Sequence, residues 1–347
     1  MRNPIHMLPL IMGAMLAAIL PAHATDKAPA CGQLTLFNEV QLQMTDEGLR
    51  PLIPVQIDGH DQLFVFDTGN ALTAIAEQTA KALDIKTRDG GNYMLADVSG
   101  NLRARYAAVS RFAFGKRAHG SIYMPVWPDL QTGIAGSFGL DFMTHYDTDI
   151  DFGTGMLRMF DRDHCPGGVI YWQAPAVGEV PITIQNTHVT VPVEIDGHMV
   201  TAIIDTGAEY TVMTRQTARE IFGITTSSPD TQIDIELRHK DQAAKDKAIL
   251  HIFNELAFGD IQVKGARVVI TPDMMSTDNP FMSAYEIQTR QRMGYKMPDL
   301  IIGMNILRKL HVYMAFGENR LYVSPASTPG AAAQNPSNMP SSAGATP

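Results

Sequence analysis

Residues 54–75 read PVQIDGHDQLFVFDTGNALTAI, and residues 192–213 read PVEIDGHMVTAIIDTGAEYTVM. Set against each other without a gap, at an offset of 138, ten of these 22 positions are identical. An internal repeat of this length decides the architecture, because two copies of one unit must fold alike. In each copy a short apolar run meets a turn at Asp-Gly, Asp58-Gly59 or Asp196-Gly197, and a second apolar run follows. That pattern predicts a β-hairpin. The second strand of each hairpin delivers Asp-Thr-Gly into a loop: Asp67-Thr68-Gly69 in the first copy, Asp205-Thr206-Gly207 in the second.

Outward from the repeat, further landmarks recur in the same order. Leu256-Ala257-Phe258-Gly259 answers Phe112-Ala113-Phe114-Gly115, and Ile302-Gly303-Met304-Asn305 answers Phe138-Gly139-Leu140-Asp141. The offset grows from 138 to 144 to 164, so the second half has gained about six residues near 232–253 and about twenty between Met274 and Pro298. Short strands and Gly-marked turns in both halves predict a mostly β chain of two homologous lobes, 51–165 and 176–324. Residues 25–50 form an N-terminal arm, with Leu34 to Phe37 as an edge strand. Ala76 to Ile85 reads as a short helix with its apolar positions on one face. Tyr93 to Val109 reads as a second hairpin with its tip at Ser99-Gly100, and Gln232 to Phe253 holds the matching place in the second half. The last stretch, 325–347, is uncharged and rich in Pro, Ala, Ser, Gly and Asn, which predicts a disordered tail.

The 347 residues are 45% hydrophobic and 18% charged, enough for a sizeable core. The net charge of −9 leaves no electrostatic footprint for nucleic acid. Residues 1–24 read as a cleaved export signal: Arg2 supplies the positive charge, Leu8 to Leu20 a short apolar run, and Ala22-His23-Ala24 a small-x-small cleavage site. The expected location is therefore outside the cytoplasm, periplasmic or secreted, with no stable membrane insertion once the signal is removed. Two cysteines remain, Cys31 and Cys165, and two readings stay open: a disulfide tying the arm to the first lobe, or two free thiols. No Cys/His spacing marks a metal site, and no cofactor is expected. His60 and His198 each follow Asp-Gly and read as turn residues, and the 20 methionines are scattered as core filler.

If the lobes pack about a pseudo-two-fold axis, the two Asp-Thr-Gly loops meet there and Asp67 faces Asp205. Two carboxylates about 3 Å apart cannot both ionise cheaply, so the pair holds one proton between them. A water between them can lose a proton to the ionised member while the protonated member polarises a carbonyl, which is general acid–base hydrolysis of an amide. Thr68 and Thr206 can bond across the axis, and Gly69 and Gly207 leave room for backbone N–H groups to approach the carboxylates.

These features resemble the aspartic proteases, in particular the retropepsin-like branch: Asp-Thr-Gly after an apolar strand, and a later apolar-apolar-Gly, here Ile301-Ile302-Gly303 with Asn305. The resemblance covers both lobes, roughly 51–324. It implies a single-chain endopeptidase acting on peptides or proteins, with Asp67 and Asp205 as its dyad and Gly139 and Gly303 supporting the loops from below. Retroviral relatives take one lobe from each of two subunits; with both half-sites in one chain, an oligomer is not required. The family's peptide-covering flaps fall by position on 93–109, tipped by Gly100, and on 232–253, whose polar middle is equally readable as a solvated loop. The family usually carries Ala or Ser after Asp-Thr-Gly. Ala208 fits; Asn70 departs, and its amide is expected to reach a carboxylate. Asp141, where the second lobe has Asn305, is expected to accept the same backbone bonds. The competing function is an exported peptide-binding or scaffolding module with little activity, and a third reading is a self-processing factor.

Overall fold

The computed structural model describes residues 31–45, 49–97, 100–128, 133–185, 187–235, 248–271 and 298–328. The chain divides into a first unit, 1–31, and a second, 32–347. The expected export signal, most of the expected tail, the centre of the 232–253 hairpin and nearly all of the second insertion lie outside the described residues. Neither cysteine is free: Cys31 and Cys165 are both disulfide-bonded, so the free-thiol reading is set aside. Within the second unit the Cys165 N–H donates to the Gly32 carbonyl at 3.0 Å. No helix among the described residues is long and apolar enough to cross a membrane.

The second unit is built from β-sheets that repeat the duplication seen in sequence. In the first lobe the Pro51–Ile57 and His60–Phe66 strands pair antiparallel around Asp58-Gly59; in the second, His188–Ile195 and His198–Ile204 pair around Asp196-Gly197. All four turn residues have positive φ: 49° and 87° in the first hairpin, 45° and 82° in the second. Such a turn matches the right-handed twist of the strands, and Asp followed by Gly is the pair that tolerates it. His60 and His198 stand exposed just after their turns.

Each hairpin's second strand runs parallel to a short strand from much later in its lobe. Phe66 pairs with Phe138 of Gly136–Phe138, and Ile204 with Ile302 of Leu300–Ile302. These short strands in turn pair antiparallel with Ala74–Ala76 and Thr211–Thr214. Each Asp-Thr-Gly loop is thus clamped between two halves of its own lobe. The cores behind the loops differ in chemistry. Phe64, Phe66, Phe112, Phe114 and Phe138 are buried in the first lobe, where four of the five occupy positions held by Ala202, Ile204, Leu256 and Ile302 in the second. Full burial of such an apolar side chain stabilises by about 1.5–3 kcal/mol.

The halves are joined by a six-stranded antiparallel sheet. Its order is Leu36–Gln41, Met156–Phe160, Asp147–Asp151, Leu310–Ala315, Arg320–Pro325 and Gly178–Pro181. At its centre Asp149 pairs with Tyr313, its own equivalent at the offset of 164, with Ile150 opposite Val312 and Thr148 opposite Met314. The pseudo-two-fold axis passes between them.

This sheet also buries a polar cluster that the sequence reading did not anticipate. The His164 and His311 rings meet the carboxylates of Asp147 and Asp149, each at 2.5 Å. The Tyr171 hydroxyl donates to Asp149 and accepts from Arg158 Nη1 at 3.1 Å. Trp172 stacks on His311 at 4.2 Å and donates Nε1–H to Ser324 Oγ at 2.9 Å.

The expected 76–85 helix is shorter, Glu77–Ala82, because Ala76 is taken up by a strand. Its second-lobe counterpart, Arg215–Phe222, is capped by Thr214 Oγ1 and ends at Gly223 in the left-handed conformation.

Candidate active site

Asp67 and Asp205 are brought together. Each leaves its strand with its N–H bonded to the partner strand's last carbonyl at 3.0 Å: Asp67 to Phe138, Asp205 to Ile302. Between them the threonines form a closed lattice. Thr68 N–H donates to Thr206 Oγ1 and Thr206 N–H to Thr68 Oγ1, both at 3.0 Å. Thr68 Oγ1–H donates to the Ile204 carbonyl at 2.7 Å and Thr206 Oγ1–H to the Phe66 carbonyl at 2.6 Å. Each hydroxyl therefore holds the other loop by one donor and one carbonyl, and both threonines are buried.

The glycines serve the same closeness. A Cβ on Gly69 would fall on the Asp205 carboxyl group, and one on Gly207 would fall on that of Asp67. Each glycine also turns its N–H to the aspartate of its own loop, Gly69 to Asp67 Oδ1 and Gly207 to Asp205 Oδ1, at 2.9 Å. Ala208 N–H adds a second bond to Asp205 Oδ1 at 3.1 Å.

Gly139 and Gly303 lie beneath. Any side chain there would strike the backbone of Asn70 and Leu72, or of Ala208 and Tyr210. Their N–H groups donate to Thr73 Oγ1 at 3.0 Å and Thr211 Oγ1 at 3.1 Å. Those hydroxyls donate in turn to Asp141 Oδ1 at 2.7 Å and Asn305 Oδ1 at 2.8 Å. The same oxygens accept the Thr73 and Thr211 N–H groups at 2.9 and 2.7 Å, so the acid takes the amide's place bond for bond.

Asn70 does not do what its position suggests. Its amide donates to Ser137 Oγ at 2.9 Å, behind the loop. Ser137 lies 67 residues away in sequence, and it draws the side chain off the dyad.

The two carboxyl groups keep a solvent-accessible edge, yet protein surrounds them closely enough that burial is the largest influence on both. Asp67 is pushed up to about 8 by burial and by the charge of Asp205, against the pull of the Gly69 and Asn70 N–H groups. Asp205 is also raised by burial, but is restrained by the Ala208 and Gly207 N–H groups, by His188 and by a hydrogen bond from Asp67. Burial thus raises both carboxyl groups, and the pair holds one proton between them. His188 is the neighbour that the sequence reading missed.

Thr87–Asp97 and Gly100–Val109 form the expected hairpin of the first lobe, beginning six residues earlier than predicted, with Gly100 opposite Asp97 beside the tip. In the second lobe Thr231–Ile235 pairs with Ala248–Phe258.

A two-lobed β chain with paired Asp-Thr-Gly loops defines the acid-protease class. The family model described as aspartyl protease matches residues 53–142 and 191–306, more than half of the chain, and the chain belongs to that family. No curated protein matches it by sequence. Among solved structures it is similar to conglutin gamma, described as a unique basic 7S globulin from lupine seeds, with 9% identity, a TM-score of 0.43, and coverage of 84% of this chain and 95% of that one.

Proposed function

We propose that the chain is an aspartic endopeptidase with Asp67 and Asp205 as its catalytic pair. The observation that carries this reading is the threonine-locked pairing that brings the two carboxyl groups together, each against the other loop's glycine. In the proposed cycle, Asp205 takes a proton from a water held between the carboxyl groups, and the hydroxide adds to the peptide carbonyl carbon. Asp67 gives its proton to the carbonyl oxygen. The tetrahedral diol then collapses: its carbon–nitrogen bond breaks, the amine leaves with the proton from Asp205, and Asp67 recovers a proton from a diol hydroxyl. The pair returns to its one-proton state.

An extended peptide would lie between the lobes, under the hairpin that carries Gly100. Leu72 and Tyr210 hold equivalent places beside the loops and remain exposed, which suits them to contact substrate side chains. The expected leader and the disulfide-bonded cysteines support an exported location, since such bonds persist in oxidising compartments.

The test compares wild type with Asp67→Asn and Asp205→Asn on a peptide library from acid to mildly alkaline pH. Wild type should cleave, with activity falling as pH rises through about 8 and Asp67 loses its proton. Each variant should lose at least about 10²–10⁴-fold. Binding without cleavage by wild type would replace the enzyme with a peptide-binding module.

A further inference from the structure

The second lobe departs from the first just ahead of its Thr231–Ile235 strand. Its helix starts at Arg215, 138 residues after Glu77, but ends at Phe222, 140 after Ala82. The Ile252 N–H then donates to the Asp230 carbonyl at 3.2 Å, as the Ala108 N–H does to that of Lys86 at 3.0 Å, which sets the offset at 144. Two of the gained residues therefore lengthen the helix, and four lengthen the connection behind it. That connection is held by its own bonds: the Ser228 N–H donates to the Thr225 carbonyl at 3.1 Å, and the Thr225 N–H to Ser228 Oγ at 2.9 Å. It walls one side of a cavity of about 330 Å³, a size that suits a small ligand. Phe222, His251 and Phe253 line this cavity where the first lobe has Ala82, Ala107 and Val109, and Asp230 stands in the place of Lys86.

We propose that this cavity binds an organic cation: a protonated amine or a guanidinium on an apolar stem. Its lining is aromatic. The rings of His198, Phe222, Phe253 and His251 follow one another edge to face, with centroids 5.3, 5.0 and 4.7 Å apart and planes at 77°, 67° and 75°. Rings set near right angles bring π faces and apolar edges around one space, surroundings that attract a cation with an apolar body. Two carboxylates add charge. Asp196 is fixed by the Glu255 N–H at 2.9 Å and by the Asn254 side-chain amide at 3.0 Å, and Asp230 is exposed at the rim. In the first lobe Lys86, in the place of Asp230, would repel the same ligand.

His251 completes the set as an acceptor. Its Nδ1 lies 3.0 Å from Thr231 Oγ1, and that hydroxyl donates to the Pro229 carbonyl at 3.3 Å. The hydroxyl oxygen therefore accepts from Nδ1–H, which leaves the lone pair on Nε2. Burial disfavours a second proton on the ring more than Asp230 and Asp196 favour it, so Nε2 stays unprotonated at neutral pH. The carboxylates and this nitrogen all accept, and an ammonium or guanidinium group only donates. A bare metal ion would leave the phenyl rings unused, and among the described residues no three acids or histidines are placed to hold one. The inference goes beyond the endopeptidase reading and does not depend on it. His198 begins the strand that ends next to Asp205, seven residues on and about 23 Å away at about 3.3 Å per residue.

The experiment is an NMR titration of the full chain at neutral pH with n-butylammonium chloride, and with sodium butyrate as an anion of similar length. The ammonium should shift the His251 ring and the backbone of 222–231 while leaving 82–87 of the first lobe unmoved, and butyrate should shift neither. Asp230→Asn, at an exposed position, should weaken binding about two- to fivefold, the range for an exposed ion pair. Phe222→Ala should weaken it by about the same factor through the lost cation–π contact. Asp230→Lys, which installs the first lobe's residue, should abolish it. A third titrant, acetyl-Gly-Lys-Gly-amide, separates the two sources of the cation. Tighter binding than n-butylammonium assigns the cavity to a basic side chain of a protein, and weaker binding assigns it to a free amine. Equal responses to butyrate and n-butylammonium would refute the proposal. So would wild-type binding by both Asp230→Asn and Asp230→Lys, or no response to any of the cations.

Discussion

Replacing Thr206 with Val tests whether the threonine lattice is what holds the two loops together. Valine keeps the volume and the β-branch, so packing changes little, but it removes Oγ1. Two groups lose their partner at once: the Thr68 N–H, now 3.0 Å from that oxygen, and the Phe66 carbonyl, 2.6 Å away. Thr206 is 1% exposed and Thr68 0%, so water does not replace the lost bonds. Each orphaned buried group costs about 1–3 kcal/mol, which puts Thr206→Val at about 2–6 kcal/mol. Thr206→Ser keeps the hydroxyl and should recover most of that. Thr68→Val orphans a different pair, the Thr206 N–H and the Ile204 carbonyl. Because both substitutions loosen the same contact between loops, the double variant should cost less than the two singles together. Urea unfolding measures the stabilities. Activity should fall as well, since a displacement of about 1 Å at a catalytic pair costs about 10²-fold. If Thr206→Val unfolds at the same urea concentration as Thr206→Ser and retains full kcat, the lattice does not lock the site and the reasoning fails.

Two further outcomes follow from the buried polar groups. Asp147 raises the His164 pKa through a hydrogen bond; burial works against the charged His311 ring, but Asp149 outweighs it and raises that pKa too. A raised histidine stabilises fully below its unfolded value near 6.5 and loses that contribution as pH rises through the folded value. The urea midpoint should therefore decline from mildly acid to alkaline pH. The double variant Asp67→Asn/Asp205→Asn is the right background, because both raised aspartates pull in the same direction; a flat or rising midpoint there would contradict the pairing. Asn70→Ala should cost about 1 kcal/mol through the lost bond to Ser137 and leave both limbs of the pH–rate profile in place. A displaced limb would mean that the amide reaches the carboxylates after all.

The parts of the fold that were legible from sequence are those whose causes are local. Asp58-Gly59 and Asp196-Gly197 announce their hairpins because the turn requires positive φ at both residues. The dyad is legible because its motif occurs twice after apolar strands, and the lattice follows because Thr68 and Thr206 sit next to the aspartates. What could not be read depends on distant partners. Asp147, Asp149 and Asp151 alternate along one strand like a solvated face, yet all three are buried: His164, Tyr171 and His311 come to the first two from elsewhere in the chain, and the Ser327 N–H comes to Asp151. Asn70 was misjudged for the same reason, its partner Ser137 being far away in sequence. His188 stands four residues before the conspicuous repeat begins, outside the stretch that points to the dyad.

The contacts on the axis explain why the lobes could diverge so far and still form one site. Equivalent residues touch at two places: Thr68 with Thr206, at the offset of 138, and Asp149 with Tyr313, at 164. The six- and twenty-residue insertions responsible for that drift fall between these contacts in sequence, near 232–253 and between 274 and 298. Symmetry is thus enforced only where two loops must present carboxyl groups to each other. Beside that point it is free to lapse: Arg50 pairs with Glu209 at 3.2 Å, whereas the equivalent positions, 188 and 71, hold histidine and alanine. A perfectly symmetric dyad has no means of choosing which carboxyl group keeps the proton. The loops differ in this respect: Asp205 Oδ1 accepts from both the Gly207 and Ala208 N–H groups, at 2.9 and 3.1 Å, and Asp67 Oδ1 accepts from the Gly69 N–H at 2.9 Å.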